Sequence, residues 1–314
     1  MIVLWGVYGD TPLATVNEVL TRQRQQVEFV DQQAILETDF EPTSDVGIQG
    51  LLRVGEQLIE LDRVAAVYVR PYGLEQLPTL RQFDPQGAEW RKARALVETL
   101  HSWTEMTQAL VVNRFSAMAS NSSKPYQARL IERHGFAIPE TLITTDDEAV
   151  REFWLRHGTV IYKSISGVRS IVARLTSEHL DRLEHLRWCP TQFQQHIPGT
   201  DYRVHVVGDE VFGCEIISSG DDYRYAGRSG ATVSLRACPL EADVAERCVS
   251  VVRGLGLAVA GVDLRYHPAG RWFCFEVNPS PAFTYYQSAT GQPIGEAIAD
   301  LLIRGACLAR PSGS

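Results

Sequence analysis

Apolar residues along this chain fall into short continuous runs, separated by stretches in which they recur every three or four positions. That is the pattern of buried strands alternating with amphipathic helices. The run IVLWGVY at 2–8 predicts a buried parallel strand, GDTP after it leads into a helix over 13–24, and VEFV predicts a second strand at 27–30. VAAVYVR at 64–70 is another buried strand, ending in Arg70-Pro71-Tyr72-Gly73. Trp90, Ala93, Leu96, Val97, Leu100 and Trp103 recur at helical spacing and predict a helix across 87–110. A short strand at 109–113 ends this first α/β unit, so a boundary is expected at 112.

Lys124 and Pro125 open the next helix, proline being suited to a first turn. Residues 136–145 are extended, and Asp146-Asp147 leads into a helix over 148–157 with Ala149, Val150, Phe153 and Trp154 on its buried face. A strand at 160–164, a helix at 175–188 and a strand at 191–197 follow. Two strands, 201–207 and 210–217, meet at the turn-forming pair Gly208-Asp209. Alternation places Tyr202, Val204 and Val206 on one face and Arg203 on the other, with Glu215 a candidate companion of Arg203; His205 reads as a packed or surface histidine without a role. The polar segment 218–231 is either a loop over a ligand or an exposed one, and it carries Arg224 and Arg228 as candidate substrate contacts. A helix at 242–253, a hairpin of strands 260–266 and 271–278, and a helix at 294–304 complete the pattern, with a frayed tail from Pro311.

The hairpin carries the most chemistry. Alternation puts Phe275 and Val277 on one face of its second strand and Cys274, Glu276 and Asn278 on the other; in its first strand Val262 and Leu264 oppose Asp263. Pairing the strands gathers Asp263, Glu276 and Asn278, three hard oxygen donors suited to Mg2+. A solvated acidic face is the alternative, and the place of Glu276 between Phe275 and Val277 argues against it.

Charge narrows the choice of partners. The chain has 314 residues, a formal net charge of -8 and 45% hydrophobic residues, with a pI near 5.5. This size admits two or three compact units. The acidic balance disfavours general nucleic-acid binding, which needs concentrated basic surface. Lysine occurs only at Lys92, Lys124 and Lys163, so those positions invite a reason. Lys92 sits in a polar run and reads as surface; Lys124 opens a helix, where anions are favoured. Lys163 lies among Val160, Ile161, Tyr162 and Ile165, where an ammonium either meets an anion or sits on a strand edge. Arg70, at the carboxyl end of a strand, is placed either for a substrate carboxylate or on the surface. Six cysteines without CxxC or zinc spacing read as scattered buried thiols, and MIVLWGVYGD lacks a basic leader; a cytoplasmic protein with no membrane span is expected, and a homo-oligomer is compatible. Gly6 and Gly9 do not form a dinucleotide fingerprint, so no nicotinamide cofactor is expected.

Seven segments, in order, resemble the ATP-grasp superfamily and within it the RimK-like carboxylate–amine ligases: Ser123-Lys124-Pro125, residues 135–141, Ile161-Tyr162-Lys163, residues 194–199, residues 201–204, Gly261-Val262-Asp263-Leu264 and residues 276–281. The resemblance covers about 113–300; the first unit matches only in its coarse α/β pattern. It implies an N-terminal open α/β (pre-ATP-grasp) domain at 1–112, then a two-lobed α+β ATP-grasp domain with a small lobe at 113–190 and a large lobe at 191–314. It further implies that Lys124 and Lys163 contact ATP phosphates, that adenine lies near Gln194, Gln195, His196 and Ile197, and that Arg203 lies beside the transferred phosphate. Asp263, Glu276 and Asn278 would hold Mg2+, or Mn2+. The glycine-rich loop expected after the strand lysine is reduced to residues 164–169, and Arg169 stands where it would supply a phosphate contact. The expected activity joins a carboxylate to an amine, on an amino acid or a peptide, through an acyl phosphate. Asp222-Tyr223-Arg224 also resembles ligases that crosslink side chains of ribosomally made peptides, and a nucleotide-binding regulatory or scaffold protein is the non-enzymatic alternative.

Overall fold

The computed structural model describes residues 1–42, 50–165, 172–218 and 233–308. The first four-stranded sheet is parallel: β1 (Ile2–Gly6) lies between β2 (Val27–Asp31) and β6 (Ala66–Arg70), with β7 (Leu110–Val112) beyond β6. β1 is buried along its whole length, as its unbroken apolar run requires. Asp10 caps α1 (Thr11–Arg22) by accepting from Leu13 N–H, and Pro12 occupies the first turn. A small antiparallel meander, β3 (Thr38–Pro42), β4 (Gly50–Val54) and β5 (Gln57–Glu60), was not legible in the sequence; α2 (Ala88–Met106) buries Trp90, Ala93, Leu96, Leu100 and Trp103 against the same core.

The next unit starts with α3 (Phe115–Met118) and α4 (Lys124–Arg133). Its antiparallel sheet orders β10 (Ala173–Arg174), β9 (Val160–Ser164), β11 (Thr191–Gln195) and β8 (Thr141–Thr144). α5 (Asp147–His157), capped by Asp146, lays Val150 and Phe153 on it. The helix expected over 175–188 is instead a one-turn α6 (Ser177–Leu180) followed by a 3-10 turn at Leu183–Trp188. His, Arg and Asp interrupt the apolar face there too often for one stable helix.

The third sheet is antiparallel, ordered β14 (Val233–Cys238), β13 (Glu210–Ser218), β12 (Thr200–Val207), β15 (Val259–His267) and β16 (Arg271–Asn278). α7 (Ala242–Gly254) covers one face, burying Val244, Cys248, Val251 and Val252 against Val204, Val206, Val262 and Val277. Each such aliphatic side chain contributes about 1.5–3 kcal/mol by leaving water. α8 (Thr284–Thr290) and α9 (Ile294–Leu308) lie on the other face. α9 also packs on α1, with Ile294, Ile298 and Leu302 in one core with Leu13, Val16 and Leu20, so the first sheet and the third share a core across the boundary expected at 112.

Two expectations about facing are corrected. Cross-strand pairing sets Glu215 opposite Tyr202 and Cys214 opposite Arg203, so Glu215 points to the face away from Arg203 and is held there by Arg236 at 2.9 Å. In β16 strict alternation fails: Asp263 pairs with Glu276 but Leu264 pairs with Cys274, leaving Phe275 as a bulge. Cys274 therefore joins Val277 in the core, while Phe275 is only partly buried. The thiols also divide. Burial pushes Cys214 up to about 11 and Cys248 up to about 12, but Cys189 and Cys307 are exposed. No helix among the described residues is long and apolar enough to cross a membrane.

Candidate active site

Three adjacent strands bring the expected charges into one row. Arg203 on β12 pairs across with Asp263 on β15, and Asp263 with Glu276 on β16; one step along, Gly261 faces Asn278. Arg203 Nη1 donates to Asp263 Oδ1 at 2.6 Å, and Lys124, at the start of α4, reaches Glu276 and lies 3.2 Å from Asn121 Oδ1. The Arg203 side chain is 7% exposed, whereas Asp263 and Glu276 remain about one-quarter accessible, at 23% and 24%. A Cβ added to Gly261 would stand 2.5 Å from Arg203 Cζ and 2.7 Å from Nε, so the missing side chain is the space the guanidinium occupies. Tyr286 of α8 supports it from below, its ring 5.7 Å from Cζ.

This donor set fits a hard divalent cation. Two carboxylates on paired strands and the amide oxygen of Asn278 are oxygen ligands of the right kind, each on a backbone held by the sheet. Asn278 Oδ1 accepts from Ser280 N–H at 2.9 Å, which orients the amide and leaves a lone pair. Among the described residues no group of three His, Cys, Asp or Glu could hold a metal.

Beside the row lies a cavity of about 590 Å³ between the second and third sheets. Lys124 and Lys163 both line it, with Gln192, Gln194, Phe275, Ile138 and Leu142 among its walls. Gln194 Nε2 donates to Thr141 Oγ1 at 3.0 Å. Gln195, His196 and Ile197 do not line it: the N–H groups of Gln195 and His196 donate to Glu140 O and Thr159 O, and Ile197 is 2% exposed, its carbonyl accepting from Arg265. Sequence reasoning missed Gln192 and Phe275. The Gln-Phe-Gln alternation of β11 could have flagged the first; nothing short of the bulge reveals the second.

Arg70 is engaged rather than open. Its Nε donates to Asp10 Oδ1 at 2.9 Å, and its Nη1 to Ser280 Oγ at 2.9 Å and to Pro281 O at 3.2 Å. It thus ties the carboxyl end of β6 to the segment leaving β16. His205 is 1% exposed, neither ring nitrogen has a hydrogen-bond partner among the described residues, and burial followed by the Arg203 charge holds its pKa well below the ordinary value. Arg169, Arg224 and Arg228, with the reduced loop after Ser164, most of segment 218–231 and the tail, lie outside the described residues.

The fold and site define a class: two antiparallel lobes with a lysine-lined cavity between them and a row of metal-type ligands at its edge. The family model for the RimK-like ATP-grasp domain matches residues 121–302, more than half the chain, and the chain belongs to that family. A protein named probable alpha-L-glutamate ligase from Rhodopirellula baltica is 28% identical over 211 residues, covering 63% of this chain and 51% of that protein; the chain thus spans about half the length of that relative. The solved ATP-grasp ligase PsnB, complexed with a phosphomimetic variant of its minimal precursor, Mg and ADP, is 26% identical with a TM-score of 0.79, covering 97% of this chain and 98% of that one. The macrocyclase MdnC of Microcystis aeruginosa, bound with its precursor peptide MdnA, shares the fold at 21% identity and a TM-score of 0.81, covering 96% and 99%.

Proposed function

We propose that this protein is an ATP- and Mg2+-dependent, ADP-forming ligase that joins a carboxylate to an amine through an acyl phosphate. The observation that carries the reading is the continuous row Arg203, Asp263, Glu276 and Lys124 at the edge of the cavity, in a chain of the RimK-like family. Lys124 and Lys163 hold phosphate oxygens, Gln194 and the apolar walls at Ile138, Leu142 and Phe275 hold the base, and Arg203 faces the transferred phosphoryl group. Asp263, Glu276 and Asn278 hold the metal; Mn2+ meets the same oxygen set. When bound, the metal neutralises phosphate charge and orients the phosphates.

A substrate carboxylate oxygen attacks the γ-phosphorus, and the bond to the bridging oxygen breaks, releasing ADP. The amine then attacks the acyl carbon, loses one proton, and phosphate leaves with the electron pair of the broken C–O bond. No enzyme nucleophile is required. The protein's share is positioning and fixed positive charge aimed at the transferring group. The present pairing of Lys124 with Glu276 and Arg203 with Asp263 suits this use: each cation stays compensated until phosphate and metal arrive together.

A specific observation favours a peptide as the substrate. PsnB, 26% identical and complexed with a variant of its minimal precursor, aligns with 97% of this chain, first sheet included. We infer that the first unit, residues 1–112, helps hold a peptide whose side-chain carboxylate is activated, and that the bond formed is a side-chain crosslink. The test is release of ADP and phosphate on incubation with ATP, Mg2+ and pools of amino acids or of peptides rich in Asp, Glu, Lys, Ser and Thr. Stimulation by the peptide pools supports the reading; no ADP under any pool would refute it.

A further inference from the structure

β16 is the edge strand of the third sheet, so the backbone groups on its outer side need partners from elsewhere. Two are supplied. Ala137 bridges the strand near its start, its N–H donating to Trp272 O at 3.1 Å and its carbonyl accepting from Cys274 N–H at 2.9 Å. Near its end a side chain takes over: Gln127 of α4 accepts from Val277 N–H at 3.0 Å and donates to Val277 O at 2.9 Å. Gln127 is 1% exposed, so both bonds lie away from water. Between these attachments the strand bulges at Phe275, and Val277 itself stands between Glu276 and Asn278.

Immediately beyond, Asn113 uses its whole amide. Its Nδ2 donates to Val259 O at 2.7 Å and Pro279 O at 2.6 Å, and its Oδ1 accepts from Ala258 N–H at 2.8 Å and Val259 N–H at 3.2 Å. Asn113 is 3% exposed.

We propose that Gln127 is a positioning residue for the metal site, with Asn113 as its partner downstream. Gln127 lies one turn along α4 from Lys124, so the same short helix presents the phosphate lysine and clamps the strand that carries Glu276 and Asn278. The distance between phosphate and metal ligands is thereby set by one rigid element, while Asn113 fixes the exit at Pro279. A merely structural glutamine would support the fold equally with or without metal. A positioning glutamine matters most when Mg2+ must be gripped.

This inference rests on the metal reading above, and one titration separates the two. ADP binding is measured by calorimetry with and without Mg2+ for the wild type, Gln127→Glu, Asn113→Asp and Glu276→Gln. Gln127→Glu keeps the shape but sets an acceptor against Val277 O. It is expected to weaken the Mg2+-dependent part of ADP binding by about 10-fold or more, as loss of groups that orient metal ligands does, and to leave ADP binding without metal within about 2-fold of wild type. Asn113→Asp should act in the same direction. If Gln127→Glu fails to fold, Gln127→Met, similar in volume and lacking both bonds, provides the same test. An unchanged Mg2+ dependence, or equal losses with and without metal, overturns the positioning role. If Glu276→Gln also keeps full Mg2+ dependence, the metal reading fails and the inference falls with it.

Discussion

Replacing Gly261 by alanine isolates the placement of Arg203. The backbone at Gly261 is outside the left-handed region, so alanine is conformationally acceptable there and by itself stabilises by about 0.4–1 kcal/mol through the unfolded chain. The added methyl instead meets the guanidinium, 2.5 Å from Cζ. Arg203 is held by Asp263 and rests on Tyr286, so it cannot swing aside without leaving both. Overpacking of this sort costs about 1–3 kcal/mol, leaving a net destabilisation of about 0–2.6 kcal/mol. Loss of a pre-positioned charge from the transferring group costs far more in rate, about 10²–10³-fold in kcat. Peptide-stimulated ADP release and urea unfolding, measured together, should show kcat falling by about two orders of magnitude while stability falls by less than about 3 kcal/mol. A Gly261→Ala enzyme within about threefold of wild-type kcat would refute the role given to Arg203 and to the space beside it.

Three further outcomes follow from the same geometry. Lys163→Ala removes a cation from the cavity wall and should weaken ATP binding at least about tenfold by calorimetry, a loss of about 1.4 kcal/mol. Arg70→Met leaves Asp10, 5% exposed, without its ion pair, and should cost about 3–5 kcal/mol in urea unfolding. His205 is held neutral in the fold while the unfolded chain protonates it below its ordinary pKa near 6.5, so its contribution to stability is present above that pH and is lost as pH falls. The slope approaches about 1.4 kcal/mol per pH unit; His205→Phe should flatten the difference between unfolding free energies at pH 7 and pH 5, and an unchanged difference would contradict the assignment.

What the sequence disclosed, and what it hid, divides along physical lines. Long apolar runs and helical spacing carry strong signals, so β1, β6, α2, α5 and the β15–β16 hairpin were legible, and with them Asp263, Glu276 and Asn278 on one face. Periodicity fails where one residue changes the count: the bulge at Phe275 sent Cys274 to the core and Phe275 toward the cavity. Facing across a hairpin depends on register as well as parity, which is why Glu215 proved to lie on the opposite face from Arg203. Short charged strands such as Thr38–Pro42 and Gln57–Glu60 look like loop until a partner strand supplies their hydrogen bonds. Arg70 stands at the strand end where the sequence put it, but a sequence cannot reveal that Asp10 and Ser280 already occupy its donors. Gln127 left a faint trace, a polar residue four positions from Ile131 on the buried stripe of α4.

The step that defines this site is passage of the substrate carboxylate through an acyl phosphate. Hydroxylamine, added with ATP, Mg2+ and the stimulating peptide, captures such a species as a hydroxamate. The wild type should form a peptide hydroxamate in step with ADP, and Arg203→Ala and Glu276→Gln should lose it. ADP release under the same conditions without any hydroxamate, or hydroxamate undiminished in both variants, would contradict that step.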